Sequence, residues 1–295
     1  MPALTHAPLP SWRNLAAAFF KPAQPDHELA APWCRSGDHA FWFSRSAWSL
    51  LAIAQWRQRL TRQTSISVWL PDFFCNASLI PLRSMGAQLL FYPLTEKLAP
   101  DLAACRALAH EQRPDLFVLV HFFGQPAPAD AAAALCRDTG ASLIEDAAHV
   151  LRPIPGIGEQ GDCVLYSPHK HLPIPDGAVL VVRENGPTRL AAQASVLDVF
   201  RDVYRSVIDA PDFSHWPSGF WLVKRVLQRL GLRAWRRPIP FGTDTDPTSP
   251  GLAHPKVSPL ASRLLSGLLD RFDTVAHLRQ QHRLLWEQAL TQTNP

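Results

Sequence analysis

Cysteine is scarce, and its pattern is uninformative for pairing. The five residues (Cys34, Cys75, Cys105, Cys136 and Cys163) are odd in number and scattered, with no C-x-x-C spacing. This gives no disulfide framework and points to neither a zinc site nor a dithiol redox motif; buried free thiols in a reducing compartment are expected. Long apolar runs are also missing. The longest, from Leu116 to Phe123, is interrupted by His121 and is far too short to span a bilayer. The N-terminus lacks a basic segment leading into an apolar one. A cytoplasmic protein with no membrane partner is therefore expected. Charge of one sign is not in excess: 29 basic residues face 25 acidic ones, for a net charge of +4 and no run of like charge. That balance argues against a nucleic-acid partner. Internal repeats and low-complexity segments are absent. Lysine is rare, with five residues (Lys21, Lys97, Lys170, Lys224 and Lys256) against 24 arginines.

What is present is ample for a folded core. The 295 residues are 47% hydrophobic, enough for one large or two modest domains and too apolar for a disordered chain. Proline is abundant at 28 residues, nearly twice the usual ~5%. Loops should be stiff, and long helices should be confined to proline-free windows.

After an irregular, proline-rich start with one short helical candidate at Leu15–Phe20, strands and helices alternate. The expected strands are Ala40–Phe43, Ser67–Leu70, Gln88–Tyr92, Leu116–Phe122, Ser142–Ile144, Cys163–Tyr166 and Ala178–Val182. The expected helices are Ser46–Thr61, Asn76–Met85, Asp101–His110 and Ala129–Asp138, the last closed by Gly140 as a C-cap. Leu116–Phe122 reads as a strand buried on both faces. This alternation predicts an α/β fold with a mostly parallel sheet. Residues 188–235 look helical with a break at Asp212–Phe220, residues 237–258 form a proline-rich linker, and Leu260–Leu290 is amphipathic.

Ligands of open α/β sheets bind beyond the carboxyl ends of the strands, so the residues following each strand are the candidates. Ser44-Arg45-Ser46-Ala47 opens a helix, as a phosphate cradle or as a plain N-cap. His121-Phe122-Phe123-Gly124 could line a pocket or fill the edge of the core. Glu145-Asp146-Ala147-Ala148-His149 brings two carboxylates to a buried strand end, costly there unless paired. Ser167-Pro168-His169-Lys170-His171 places a rare lysine in an apolar, proline-braced loop, as a nucleophile or as a solvated loop residue. A phosphate cradle, an acid at one strand end and a lysine at the next match the needs of pyridoxal phosphate (PLP): a lysine for the Schiff base, and an acid to keep the pyridine nitrogen protonated.

The motifs Leu143-Ile144-Glu145-Asp146-Ala147-Ala148-His149, Gly161-Asp162, Ser167-Pro168-His169-Lys170 and Asp176-Gly177 resemble those of the DegT/DnrJ/EryC1/StrS family. Leu70-Pro71-Asp72-Phe73-Phe74-Cys75, Gly86-Ala87 and Phe123-Gly124-Gln125-Pro126 fall in the family's order, and the resemblance covers roughly residues 38–185. These are fold-type-I PLP-dependent aminotransferases, many acting on nucleotide-linked keto-sugars. The resemblance implies a three-layer αβα large domain and an active site at a homodimer interface. Lys170 would form the Schiff base and move the substrate α-proton. Asp146 would pair with the pyridine nitrogen, and His149 would sit near the ring hydroxyl. Ser167, Ser46 and the Arg45 turn would hold the phosphate. The ring-stacking aromatic would come from the segment after Pro71, where Phe73, Phe74 and Cys75 compete and Phe74 is chosen. A lysine at this position, where some relatives carry histidine and dehydrate their substrates, favours transamination.

The expected activity is transfer of an amino group from an amino acid donor, such as glutamate, to a keto acceptor in a biosynthetic reaction. The alternatives are a non-catalytic scaffold or regulator on the same fold, or another fold-type-I enzyme such as a lyase. Against the family's length, residues 1–250 would form the large domain, with its core at 38–185 and a helical extension at 188–235. Residues 251–295 would be a linker and the start of a truncated small domain.

Overall fold

A computed structural model describes residues 9–20, 22, 24–184, 186, 194–209, 216–231 and 254–293. Its centre is a sheet of β1 (His39–Phe43), β2 (Ser67–Pro71), β3 (Gln88–Tyr92), β4 (Leu116–Val120), β5 (Ser142–Asp146), β6 (Cys163–Tyr166) and β7 (Ala178–Val182). The order across the sheet is β1-β7-β6-β5-β4-β2-β3. Strands β2 to β6 run parallel, and β7 runs against both β6 and β1. The carboxyl ends of β1 to β6 therefore share one edge, where the loop entering β7 also lies.

The helices are α1 (Trp12–Phe20), α2 (Asp26–Ala30), α3 (Ser46–Thr61), α4 (Ile80–Ser84), α5 (Leu102–Glu111), α6 (Ala129–Thr139), α7 (Ala194–Ile208), α8 (Trp216–Arg229), α9 (Pro259–Ser266) and α10 (Phe272–Thr293). They cover both faces of the sheet. In β4, Leu116, Val118 and Val120 enter one core with Ile53 of α3, Leu82 of α4 and Phe200 of α7. The alternate residues Phe117 and Leu119 enter a second core with Leu135 and Cys136 of α6. Further along that second face, Val179 and Val181 of β7 pack with Leu15 of α1 and Leu264 and Leu265 of α9. All five β4 side chains are buried, and full burial of such aliphatic side chains contributes roughly 1.5–3 kcal/mol each.

The helix expected over Asn76–Met85 is a 3-10 turn (Asn76–Leu79) followed by α4. Pro81 lies in the first turn of α4; it lacks an N–H, so it starts a helix more readily than it continues one. The stretch Leu260–Leu290 is likewise divided, because α9 ends at Gly267 before α10 begins. Of the break expected at Asp212–Phe220, Trp216–Phe220 are helical within α8, and residues 212–215 lie outside the described residues. The domain boundary expected at residue 250 and nearly all of the 237–258 linker lie outside them as well. Gly140 caps α6 as expected: at φ 78° it sits in the left-handed region and donates its N–H to Cys136 O at 2.9 Å. All five cysteines are free, but only Cys105, Cys136 and Cys163 are buried; Cys34 is half-buried and Cys75 is exposed.

Candidate active site

A cleft of about 770 Å³ opens at the carboxyl edge of the sheet. Arg45, Ser46, Phe74, Asp146, His149 and Lys170 all line it. Ser167 does not; it is fully buried at the start of the 3-10 turn that carries Lys170.

Asp146 is the last residue of β5 and pairs with Val120 on one side and Leu165 on the other. Its Oδ1 accepts the Ala148 N–H at 2.9 Å, a local turn that holds the carboxylate at the strand end. Lys170 ends the turn Pro168–Lys170 that follows β6, and its backbone N–H donates to Ser167 O at 2.9 Å. Its side chain is exposed and, among the described residues, makes no hydrogen bond or ion pair. An acid and an amine thus reach one cleft from adjacent parallel strands.

The floor beside them is fixed by backbone contacts. Ser44 O accepts the Gly177 N–H at 2.9 Å, and Ser44 N donates to Pro255 O at 2.8 Å. Gly177 has φ +130°, and a Cβ there would lie 3.3 Å from Ile174 Cδ1, so the turn needs glycine. The N-terminus of α3 points its first N–H groups and the positive end of its dipole into this region. Arg45 donates to Ser44 O at 3.0 Å and to Pro175 O at 3.2 Å. Burial pulls its guanidinium below the ordinary arginine range, with nearby Asp176 opposing. The hydroxyls of Ser44 and Ser167 are buried without a hydrogen-bond partner.

Three histidines around Lys170 are held neutral. Burial and then the charge of Arg45 hold His169 down to about 3. Burial and then Arg279 hold His171 down to about 4. His169 shares a proton at Nδ1 with Gly177 O at 2.8 Å, so its Nε2 is left as an acceptor. His149 is exposed to the cleft and lowered by burial and by Lys170, with Asp146 opposing. Its Nδ1 accepts the Phe123 N–H at 3.1 Å, so the ring proton of the neutral form sits on Nε2.

Glu145, the neighbour of Asp146, has a different role. It is fully buried and accepts from His121 Nε2 at 2.7 Å, Gly158 N at 2.8 Å, Gln160 N at 2.7 Å and Gly161 N at 2.6 Å. Burial works to raise its pKa, but the His121 bond and the Gly161 and Gly158 amides outweigh it and hold the carboxyl below its ordinary value. His121 Nδ1 accepts the Ala127 N–H at 3.0 Å, which puts the ring proton on the Nε2 facing Glu145. His121 therefore fills the core edge, and Glu145 is a structural carboxylate that fastens two loops.

The aromatic residues divide into two groups. Phe74 is half-buried against the α3 core. Phe73 is exposed and packs on Phe122 with ring centres 5.7 Å apart. Phe123 stacks on His149 at 6.0 Å and 17°. Its φ of 55° is left-handed, a strained conformation of the kind found at functional sites. The stretch His121-Phe122-Phe123-Gly124 after β4 marked this region in the sequence, but the roles of Phe123 and Glu145 were not legible there.

Residues 66–200 match the DegT/DnrJ/EryC1/StrS aminotransferase family, so the resemblance carried by the EDAAH and SPHK motifs holds and this segment belongs to that family. No curated protein matches the chain at the sequence level. Among solved structures, one similar fold is Helicobacter pylori PseC, an aminotransferase involved in the biosynthesis of pseudoaminic acid. It shows 14% identity and a TM-score of 0.59 over 91% of this chain and 65% of that one. Another is DesI, solved in the presence of its TDP-sugar product, with 18% identity and a TM-score of 0.58 over 92% and 62%. A third is the aminotransferase TlmJ from Streptoalloteichus hindustanus, with 18% identity and a TM-score of 0.59 over 92% and 66%. The chain thus spans less than two thirds of the length of each of these relatives. At such identities the likeness speaks for the fold: the mostly parallel sheet is that of the large domain of fold-type-I PLP enzymes.

Proposed function

We propose that this chain is the cofactor-holding part of a PLP-dependent aminotransferase that moves an amino group from an amino acid donor to a keto acceptor. The observation that carries the reading is the pair Asp146 and Lys170, set at the ends of adjacent strands in one cleft, with the amine unengaged. The TDP-sugar product of DesI makes nucleotide-linked keto-sugars the favoured acceptor class, and glutamate is the first donor to test. A homodimer in the cytoplasm is part of the same reading.

The residues present fit PLP. Ser44, just before the α3 N-terminus, and Ser167, at the start of the Lys170 turn, each bury a hydroxyl without a partner, and the free N–H groups of a helix N-terminus suit a phosphate. Arg45 and Ser46 add a cation and a third hydroxyl at that point. Asp146 would hold a proton on the ring nitrogen. The His149 Nε2–H would donate to the ring oxygen, its Nδ1 being engaged by Phe123. Phe74 is the proposed stacking residue. When bound, PLP supplies an electron sink for the charge left as the donor loses its α-proton. Lys170 Nζ would bind the cofactor covalently and then carry that α-proton away and back.

The test is direct. Purified chain incubated with PLP and glutamate should yield 2-oxoglutarate, and Asp146→Ala should lower the rate strongly while PLP still binds. Binding of PLP with no product from any amino donor would instead support a non-catalytic role.

A further inference from the structure

The loop that leaves β4 is tied down by its first residue, His121. The His121 N–H donates to Asp146 O at 3.0 Å, and its carbonyl accepts the Gly124 N–H at 3.1 Å. Its ring takes the Ala127 N–H on Nδ1 and gives the Nε2 proton to Glu145. The loop therefore rests on the saturated Glu145 carboxylate. Phe122 turns into the core beside Val120. Phe123 turns the other way and lines the cleft, with its side chain 71% exposed.

Among the described residues, Arg62, Leu98 and Phe123 are the non-glycines with a left-handed backbone, and of these only Phe123 lines the cleft. Such a φ is costly for a residue with a Cβ. What it brings about is a double contact with one partner. The Phe123 N–H donates to His149 Nδ1 at 3.1 Å. The phenyl lies along the face of the same imidazole, with ring centres 6.0 Å apart and planes 17° apart. The N–H belongs to the peptide plane shared with Phe122, whereas the direction of Cβ depends on φ. Turning φ from 55° to an ordinary value would swing the phenyl about 115° around the N–Cα bond and leave the N–H where it is. The left-handed backbone thus lets a single residue hold the imidazole at its edge and along its face. Gly124 continues the turn at φ +76°, and a Cβ there would lie 3.3 Å from His149 O, so the loop also lies close on the His149 backbone.

The consequence falls on the other ring nitrogen. A donor on Nδ1 keeps the proton of the neutral ring on Nε2 and opposes the arrival of a second proton. We propose that Phe123 is the positioning residue of His149: its N–H and its ring fix the imidazole so that Nε2–H is the donor offered to the cleft, and His121 holds the loop that presents it. The use of that donor by a cofactor rests on the PLP reading, but the hold on His149 does not.

The test separates turn from ring. Glycine takes a left-handed φ freely and keeps the N–H, whereas β-branched valine is among the residues least suited to it. In histidine-labelled chain without PLP, with His149 assigned through His149→Gln, the imidazole should titrate below 6.5 by NMR. Phe123→Val should move the midpoint up toward 6.5, because the donor to Nδ1 is displaced, and Phe123→Gly should stay closer to the unmodified chain. Lys170 and Asp146, which also act on His149, are common to all of these chains. Should the valine variant fail to fold, hydrogen exchange reads the same bond: the Phe123 amide should be protected in the unmodified chain and lose that protection in His149→Ala. In PLP titrations, His149→Ala and Phe123→Val should each weaken binding by about three- to tenfold, and the double variant should lose no more than His149→Ala alone. Additive losses, an unprotected Phe123 amide, or a His149 midpoint that Phe123→Val moves no further than Phe123→Gly would overturn the proposal. A chain that gives the imidazole result and binds no PLP would strike the proposed function and leave the hold of Phe123 on His149 standing.

Discussion

Glu145 and Asp146 are neighbours in sequence and end the same strand, yet they belong to regions built on opposite principles. Around Glu145 the structure is closed. Four donors saturate one carboxylate, His121 is locked in one tautomer, and the glycine-bearing loop around Gly158 and Gly161 wraps the pair. A Cβ at Gly158 would collide with the Tyr166 hydroxyl, and one at Gly161 would lie 2.7 Å from Cys163 O. Around Asp146 the structure is open: an exposed amine and a carboxylate that accepts the Ala148 N–H line one cleft, and the Ser44 and Ser167 hydroxyls are buried outside its lining without partners. A buried carboxylate is tolerated in the first region because every lone pair is used. In the second, the amine and the carboxylate that line the cleft are open to a ligand. The comparison separates stability from function within two adjacent residues.

The largest effect expected from breaking the open region is on chemistry. Lys170→Ala should cut amino transfer by about a hundred- to ten-thousand-fold, the usual contribution of a positioned acid–base group, with thermal stability nearly unchanged. Steady-state rates and a melting curve on the same sample check both halves. The closed region should answer in the opposite way. Glu145→Ala leaves His121 and the backbone amides of Gly158, Gln160 and Gly161 buried without an acceptor. It should cost about 3–5 kcal/mol in urea denaturation. Asp146→Ala should cost about 1 kcal/mol or less while lowering turnover strongly. Equal losses of stability in these two variants would dissolve the distinction.

Acid should erode the fold in a way that the two regions predict together. His169 and His171 ionise in the folded chain at about 3 and about 4 rather than at the ordinary histidine value of 6.5. The unfolded chain therefore binds protons that the folded chain refuses. Their contribution is complete above pH 6.5 and declines as the pH falls toward 4. Glu145 is also lowered, from 4.5, so its contribution is present above that value and is lost as the pH falls further. Urea midpoints measured against pH should fall through both windows, and His171→Gln should flatten the upper one. The smallest effect should come from Ser167→Ala. Removing a buried hydroxyl without a partner should leave stability unchanged or raise it by up to about 1 kcal/mol, while weakening PLP binding several-fold, as titration would show.

The parts of this picture that were legible in the sequence are those fixed by local pattern. Strand and helix periodicity gave the seven strands to within a residue or two, and Gly140 announced its left-handed cap. The acid and the lysine stood out because both follow strands, and the chemistry beyond strand ends is constrained. What was not legible depends on contacts between distant segments. Glu145 and Asp146 look alike until His121 and the 158–161 amides are seen to close around only one of them. Phe123 gives no local sign of its left-handed backbone or of its stacking on His149.

The central claim is that Lys170 is the residue that holds the cofactor in the open region. Adding PLP to the purified chain, reducing with sodium borohydride and locating the attached mass on proteolytic peptides tests it most directly. The account predicts the label on the peptide carrying Lys170 and none on Lys170→Ala. A label on Lys21, Lys97, Lys224 or Lys256, or the same labelling in Lys170→Ala as in the unmodified chain, would contradict it.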